Sequence, residues 1–385
     1  MLPQAIEAMV AELSVVGNPS SLHTAGRRAR RVVEESREQL ARAVGASPSE
    51  VVFTSGGTEA DNLAVKGTYR ARRAADPRRH RVLVSSIEHH AVMDAAQALV
   101  DDEGAEAVWL PVDAVGRLRL DALRAAIEQD PASVALVSVM WANNEVGTVQ
   151  PVAEVVQIAH EHGIPVHSDS VQAVGKVPVD FARSGLDLMS VTGHKIGGPV
   201  GVGALVAVRG AELSPLVHGG GQERQVRSGT LDEPAIRAFA VAAGIAADEL
   251  AGTRVRLTAL REALVAGIRA QVPDFVVHGD PDPAGRLPGL LNLSFEGCDG
   301  DSLLYLLDAQ GIECSTGSAC QAGVPQPSHV LLAMGMPEAE VRSALRLSLG
   351  HTSTEADVAA VLAALPAAVA RARGAGAVAA AGAGR

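Results

Sequence analysis

Aromatic residues, cysteines and long apolar runs are all scarce in this sequence. Aromatic side chains make up 2% of its 385 residues, and the three cysteines are an odd number for a chain of this size. So few thiols argue against a disulfide framework and favour a reducing compartment, and we therefore expect a cytoplasmic protein. No segment approaches the roughly 20 apolar residues that cross a bilayer. The first residues include Glu7 and Glu12 and lack the basic start and apolar run of a signal peptide.

Positive charge is also in short supply. The chain has 33 Lys and Arg residues against 44 Asp and Glu residues, a formal net charge of −11. Such a balance gives no general attraction to phosphate backbones or anionic lipid, so we expect neither a nucleic acid nor a membrane as a direct partner. The length is sufficient for a large buried core and for two or three domains of roughly 150 residues each.

The sequence does contain a regular alternation of short β-branched runs and longer amphipathic stretches. This alternation indicates an α/β fold with a mainly parallel sheet of seven strands. The runs predicted as strands lie at 51–55, 81–86, 105–112, 134–141, 164–169, 186–193 and 204–208.

After Arg237 the pattern changes to long helical stretches followed by short strand-like pieces. This change predicts a smaller α+β domain at the C-terminal side. We predict a large domain over 5–250, a small domain over 251–371, and a Gly/Ala-rich, disordered tail over 372–385.

Polar side chains follow two of the predicted strands where ligands of parallel sheets collect. Lys195 follows the run 186–193, and a lysine amine at this place can bind an aldehyde cofactor covalently. A lone lysine is more often a solvated surface residue. However, Asp169 ends the run 164–169, and a carboxylate there suits a pyridine ring that must keep its nitrogen protonated.

Two further segments extend this pattern. In TSGGTEADN (54–62) a strand enters a helix through two glycines, and the backbone amides with Thr58 form a possible phosphate cradle. Alone, this segment also fits a plain strand-to-helix turn. His89 follows the run 81–86 and could stack on a flat ring and move protons, although a single histidine there is more often structural.

Taken together, nine segments resemble the cysteine desulfurases of the pyridoxal-phosphate (PLP)-dependent transferase fold type I. The resemblance covers the chain from near its first residue to about residue 370. The segments are NPSSLHTAGR (18–27), TSGGTEADN (54–62), IEHHAVMD (87–94), NNEVGTVQP (143–151), HSDSVQAVGK (167–176), TGHKIGGPVGVG (192–203), GGGQERQVRSGT (219–230), STGSAC (315–320) and ALRLSLG (344–350).

The resemblance implies a role for each matching residue. Lys195 would hold PLP covalently, Asp169 would pair with the ring nitrogen, and His89 would stack over the ring. For the substrate, Arg346 matches the arginine that grips the carboxylate, a task suited to a guanidinium fork, and Asn18 is a second candidate. The remaining cofactor contacts that it implies are Gly57, Thr58, Thr192 and His194 at the phosphate, Asn144 and Gln172 at the ring hydroxyl, and Thr230 reaching in from the second subunit of a homodimer.

Cys320 is the residue that separates this family from ordinary aminotransferases. The resemblance implies that its thiolate takes sulfur from L-cysteine as a persulfide, leaving L-alanine. A free cysteine is more often a small buried hydrophobe, and we assign that role to Cys298 and Cys314. The segment after Cys320 resembles the branch that serves general iron–sulfur cluster assembly, so scaffold proteins or tRNA-thiolating enzymes are the implied sulfur acceptors.

Two alternatives stay open. Within PLP chemistry, the chain could be a selenocysteine lyase or a cysteine sulfinate desulfinase. Outside catalysis, it could bind PLP without turnover and serve as a platform for partners. A metal site is not expected, because His160 and His162 lie two residues apart on a predicted helix and point to different faces.

Overall fold

The computed structural model describes residues 1–316 and 326–383, with side chains up to residue 374. The chain divides into two compact units. The first unit contains Met1–Leu110, Arg119–Trp141 and Gln150–Leu250, and the second unit contains Pro111–Leu118, Ala142–Val149 and Ala251–Arg385.

The first unit is built on a seven-stranded sheet, which confirms the predicted α/β class. Its strand order is β1-β7-β6-β5-β4-β2-β3. The strands β6, β5, β4, β2 and β3 are parallel to one another, whereas β7 runs antiparallel to both of its neighbours, β1 and β6. Most strands are buried along their whole length, as their unbroken β-branched runs require. The strands are β1 (Val51–Thr54), β2 (Arg81–Ser85), β3 (Glu106–Leu110), β4 (Val134–Ser138), β5 (Val166–Asp169), β6 (Leu188–Thr192) and β7 (Gly203–Ala207).

Helices of the first unit connect these strands. Their starts carry local signals: the side chains of His23, His89 and Asp232 accept backbone N–H bonds at the starts of three helices. Within the described residues, no helix combines the length and apolar character that a bilayer span requires. The helices are α1 (Pro3–Leu13), α2 (Thr24–Ala43), α3 (Gly57–Asn62), α4 (Thr68–Ala75), α5 (His90–Glu103), α6 (Leu120–Gln129), α7 (Val152–His160), α8 (Phe181–Ser184) and α9 (Glu233–Asp248), with a π-helical turn over Leu63–Gly67 between α3 and α4.

The second unit contains a three-stranded antiparallel sheet in the order β10-β9-β8. Leucines of this sheet and of its helices form a separate apolar core. The strands are β8 (Phe275–His278), β9 (Leu290–Phe295) and β10 (Ala344–Ser348), and the helices are α10 (Leu250–Gln271), α11 (Gly300–Asp308), α12 (His329–Ala333), α13 (Glu338–Val341) and α14 (Glu355–Ala383).

Two short segments join the second unit although they precede residue 250 in the chain. They are Pro111–Leu118 and Ala142–Val149. The Thr148 hydroxyl donates to the carbonyl of Val115 over 2.6 Å and accepts the amide of Asp280 over 3.1 Å. These hydrogen bonds connect both segments to the C-terminal part of the chain. The predicted domain boundary at residue 250 assigns the two segments to the large domain instead.

The C-terminal helix differs from the prediction for the tail. Helix α14 continues to Ala383, through most of the 372–385 segment for which the sequence analysis predicts disorder. Alanine has the highest helix propensity of all residues, and an existing helix extends at little entropic cost. A Gly/Ala-rich composition therefore does not by itself predict the absence of a helix.

Candidate active site

Lys195 lies three residues beyond the end of β6, in the turn that follows Thr192. Its side chain is exposed, and its charge acts on three other groups of the first unit. Burial and then the charge of Lys195 lower the pKa of His194, and the same charge opposes the rise in the pKa of Asp169. With His89, described below, these groups form a cluster around Lys195.

Asp169 ends β5, next to β6, and is 5% exposed. Its Oδ1 accepts the backbone amide of Val171 over 2.9 Å. Burial raises the pKa of this carboxyl to about 6, while the Val171 amide and the charge of Lys195 act in the opposite direction. Such a group gains from a cationic partner, because a nearby positive charge favours its ionised form.

His89 is the N-cap of α5. Its Nδ1 accepts the amide of Ala91 over 3.1 Å, which assigns the ring proton to Nε2. Burial, followed by the charges of His90 and Lys195, lowers the pKa of His89. The residue therefore presents a neutral imidazole with its orientation fixed by the helix start.

The first turn of α3 lies close to the end of β6. Gly57 is buried, and a Cβ atom at this position would come within 2.9 Å of Val171 Cγ2 and 3.7 Å of Thr192 Cβ. Only glycine fits here, so the backbone of α3 approaches the strand end directly. Thr58 is exposed beside it. Backbone amides at such a helix start, with a hydroxyl at hand, suit a phosphate group.

Thr192 and His194 contact each other at the end of β6. Thr192 Oγ1 lies 3.1 Å from His194 Nδ1 and 3.2 Å from the carbonyl oxygen of Val202, to which it donates. Thr192 is 3% exposed, whereas His194 is exposed. The imidazole ring of His194 therefore lies on the surface of the first unit and is positioned by the buried hydroxyl of Thr192.

Of three other predicted contacts, Gln172 and Asn18 have local partners and Thr230 is exposed. Gln172 Oε1 accepts from Lys176 Nζ over 2.5 Å. The exposed Asn18 accepts the amide of Ser20 over 2.9 Å in a turn. Thr230 is exposed on the first unit, where a second chain could reach it. Their roles toward cofactor or substrate stay predictions.

Arg346 and Asn144 meet in the second unit. Arg346 Nη1 donates to the carbonyl of Asn144 over 3.0 Å, and within the described residues its Nε has no hydrogen-bond acceptor. The backbone of Arg346 exchanges two hydrogen bonds with Ser315. The guanidinium is therefore held at one nitrogen and keeps donors for a further acceptor such as a carboxylate.

Cys320 falls in residues 317–325, outside the described residues. On either side, Ser315 pairs with Arg346, and Ser328 Oγ donates to Glu145 Oε2 over 2.5 Å. Burial raises the pKa of Cys314 to about 11 and also raises that of Cys298. Neither of these two thiols has the lowered pKa of a nucleophile.

Three buried residues near Asp169 were not singled out from the sequence. They are Asp61 on α3, Glu88 beside His89, and His167 two residues before Asp169. The sequence feature that could have identified them is their position in the segments 54–62, 87–94 and 167–176, which the sequence analysis already assigns to the site. Within the described residues, no group of three or more His, Cys, Asp or Glu side chains could hold a metal ion.

Comparisons with known proteins agree with this architecture. A family model described as aminotransferase class-V matches residues 1–361. The chain is 58% identical to an IscS-like cysteine desulfurase of Mycobacterium tuberculosis, over 97% of this chain and 94% of that protein. It is 42% identical to the cysteine desulfurase IscS of Methanosarcina thermophila, over 96% of this chain and 89% of that one. A solved NifS-like protein matches with a TM-score of 0.88, 34% identity and 96% of each chain covered. The chain therefore belongs to the class-V aminotransferase family, among the cysteine desulfurases.

Proposed function

We propose that this chain is a PLP-dependent cysteine desulfurase that converts L-cysteine to L-alanine and collects the sulfur as a persulfide on Cys320. The observation that carries the proposal is the cluster in which the charge of Lys195 acts on Asp169, His89 and His194. Groups with perturbed pKa values at the carboxyl ends of parallel strands are typical of catalytic sites. The names of the relatives support the same activity.

The first unit offers the groups that PLP requires. The glycine-lined start of α3, with Thr58, Thr192 and His194, fits a phosphate, and Lys195 fits the aldehyde. Asp169 fits the ring nitrogen, because burial raises the pKa of this carboxyl and a protonated ring nitrogen beside it would favour its ionised form. When bound, PLP supplies an electron sink for the bond that breaks at the substrate Cα.

Each remaining role follows from the chemistry of the side chain. Arg346 holds the carboxylate of L-cysteine with the donors that Asn144 leaves available. The amine of Lys195 takes the proton from Cα, and the neutral ring of His89 transfers protons beside it. The Cys320 thiolate forms an S–S bond with the substrate sulfur as the C–S bond breaks. One cysteine and one enzyme thiol thus give one alanine and one enzyme persulfide.

We also infer that the chain acts as a homodimer and passes its sulfur to acceptor proteins of iron–sulfur cluster assembly or tRNA thiolation in the cytoplasm. One face of α1 supports the dimer, because Ile6 is 46% exposed, Val10 59% and Leu13 62%. Apolar side chains that are exposed together on one helix mark an interaction surface. The exposed Thr230 would complete the phosphate site of the second copy.

The test is release of sulfide and alanine from L-cysteine in the presence of dithiothreitol. Wild type is expected to give equal amounts of both products and to show the visible absorption of lysine-bound PLP. Cys320→Ala should lose sulfide release, whereas Cys314→Ala should retain it. Faster turnover of selenocysteine or cysteine sulfinate would favour the alternative activities, and a coloured protein that releases nothing from any of the three would contradict the proposal.

A further inference from the structure

His167 lies beneath Asp169 on the same strand. The two residues are two positions apart in β5, so their side chains point to the same face of the sheet. His167 is fully buried, and burial lowers the pKa of its imidazole to about 3. The ring is therefore neutral, with one nitrogen that donates a hydrogen bond and one that accepts.

Two serine hydroxyls hold this ring from the neighbouring strands. Ser138 Oγ of β4 lies 2.9 Å from His167 Nδ1, and Ser190 Oγ of β6 lies 3.0 Å from Nε2. Both serines are fully buried. The three side chains form a hydrogen-bonded chain across three strands. Because a neutral imidazole donates only once, the hydrogens can point in either direction, and the group beyond Ser190 decides which.

Asp61 of α3 is the group beyond Ser190. Ser190 forms a hydrogen bond with its carboxyl group, while Asp61 Oδ1 lies 3.6 Å from His167 Nε2, too far for a hydrogen bond. Asp61 is 1% exposed, and within the described residues no donor reaches Oδ1 and no lysine or arginine pairs with it. An ionised carboxylate is strongly disfavoured in such surroundings and takes up a proton.

The neighbouring charges act in the same direction. Glu88, which follows β2, is fully buried and accepts the amide of Met140 over 2.5 Å. Burial, followed by the negative charge of Asp169, raises the pKa of Asp61 and of Glu88 well above the usual range, against the smaller opposing effects of the Ser190 hydrogen bond on Asp61 and of the Met140 amide on Glu88. The charge of Lys195, in contrast, favours the ionised form of Asp169.

We propose that Asp61 is a positioning residue that carries a proton at neutral pH and donates it in a hydrogen bond to Ser190. Ser190 then donates to His167 Nε2, and His167 Nδ1 donates to Ser138, so that all the hydrogens point one way. This arrangement leaves the negative charge on Asp169 and holds the end of β5 in place. The inference rests on the proposed function, because a PLP ring nitrogen is what the charge on Asp169 would serve.

The proton on Asp61 can be measured without turnover. The infrared spectrum of the PLP-loaded wild type at pH 7 is expected to contain the C=O band of an un-ionised carboxylic acid, sensitive to deuterium exchange. In the difference spectrum against Asp61→Asn, this band should disappear. Ser190→Ala should shift the band, because the hydrogen bond to the acid is removed. A band that is absent from wild type, or that Asp61→Asn leaves unchanged, would overturn the inference.

A second readout concerns the cofactor. Asparagine replaces a neutral acid by a neutral amide of similar size, so Asp61→Asn should leave unchanged both the PLP dissociation constant and the pH at which the visible spectrum of bound PLP changes. An ionised Asp61 would lose one negative charge on substitution, and a shift of about one pH unit, or about tenfold in the dissociation constant, would refute the protonated state. A wild type that binds no PLP would contradict the proposed function instead, and the same infrared difference spectrum, recorded on the PLP-free proteins, would still decide the state of Asp61.

Discussion

Replacing Asp169 by asparagine is expected to stabilise the PLP-free protein while removing its activity. Burial raises the pKa of Asp169 from 3.8 to about 6. Below pH 3.8 the carboxyl is protonated in both the folded and the unfolded chain. As the pH rises toward 6, the unfolded chain ionises while the folded chain keeps its proton, so the free energy of unfolding falls. Above that pH the free energy of unfolding stops falling. The total loss is about 3 kcal/mol, because each pH unit between the pKa of the unfolded chain, 3.8, and that of the folded chain, about 6, contributes about 1.4 kcal/mol.

Asparagine avoids this loss, because it is neutral and its amide oxygen still accepts the Val171 N–H. Urea unfolding of PLP-free wild type and Asp169→Asn should therefore differ by up to about 3 kcal/mol at pH 7 in favour of the variant, and by about half as much at pH 5. Asp102→Asn, on the exposed side of α5, is the matched control and should show no pH-dependent difference. An Asp169→Asn protein that is less stable at pH 7, or a difference that does not shrink toward acid, would refute the reasoning.

Three further predictions concern substrate, sulfur and assembly. Arg346→Lys is expected to raise the KM for L-cysteine about tenfold with little change in kcat, because an ammonium cannot form the guanidinium fork; steady-state kinetics checks this, and an unchanged KM would remove Arg346 from the substrate site. Cys314→Ser should leave the persulfide yield unchanged, since burial raises the pKa of that thiol to about 11; mass spectrometry should find the extra sulfur on the Cys320 peptide in both proteins, and sulfur on Cys314 would speak against the assignment. Leu13→Lys is expected to convert a dimer to monomers in light scattering, because it places a charge on the exposed face of α1, and a dimer that persists would exclude that face.

The large sheet was predictable because its signal is local and repeated. Each predicted strand corresponds to one of β1 to β7, because most of these strands are buried and need apolar, β-branched runs that end at the turns between them. The family and the fold type are confirmed with them. The C-terminal helix was missed for the opposite reason. The composition of a segment indicates whether its side chains can form an apolar core. It does not indicate whether a helix that has already formed upstream, such as the first turns of α14, continues into the segment.

The candidate site could be predicted only where its chemistry follows a strand end. Asp169 is the last residue of β5 and Lys195 follows the end of β6, so both can be identified from the predicted strand ends alone. Asp61 and His167 belong to the layer beneath, and their importance comes from burial and from hydrogen bonds between strands that are distant in sequence. No periodicity distinguishes a buried histidine from an exposed one. Cys320, known from its motif alone, lies outside the described residues.

The second unit is formed by three separate segments of the chain, and this has a practical consequence for the design of truncated variants. A fragment starting at Ala251 would lack the Thr148 hydroxyl that Asp280 binds and the Asn144 carbonyl that Arg346 binds. On the ribosome, Pro111–Leu118 and Ala142–Val149 emerge long before the sheet that they join, and must wait for it. The second unit therefore completes its folding only after synthesis has passed β10, and truncation libraries should keep Pro111–Leu118 and Ala142–Val149 together with the residues after Ala251.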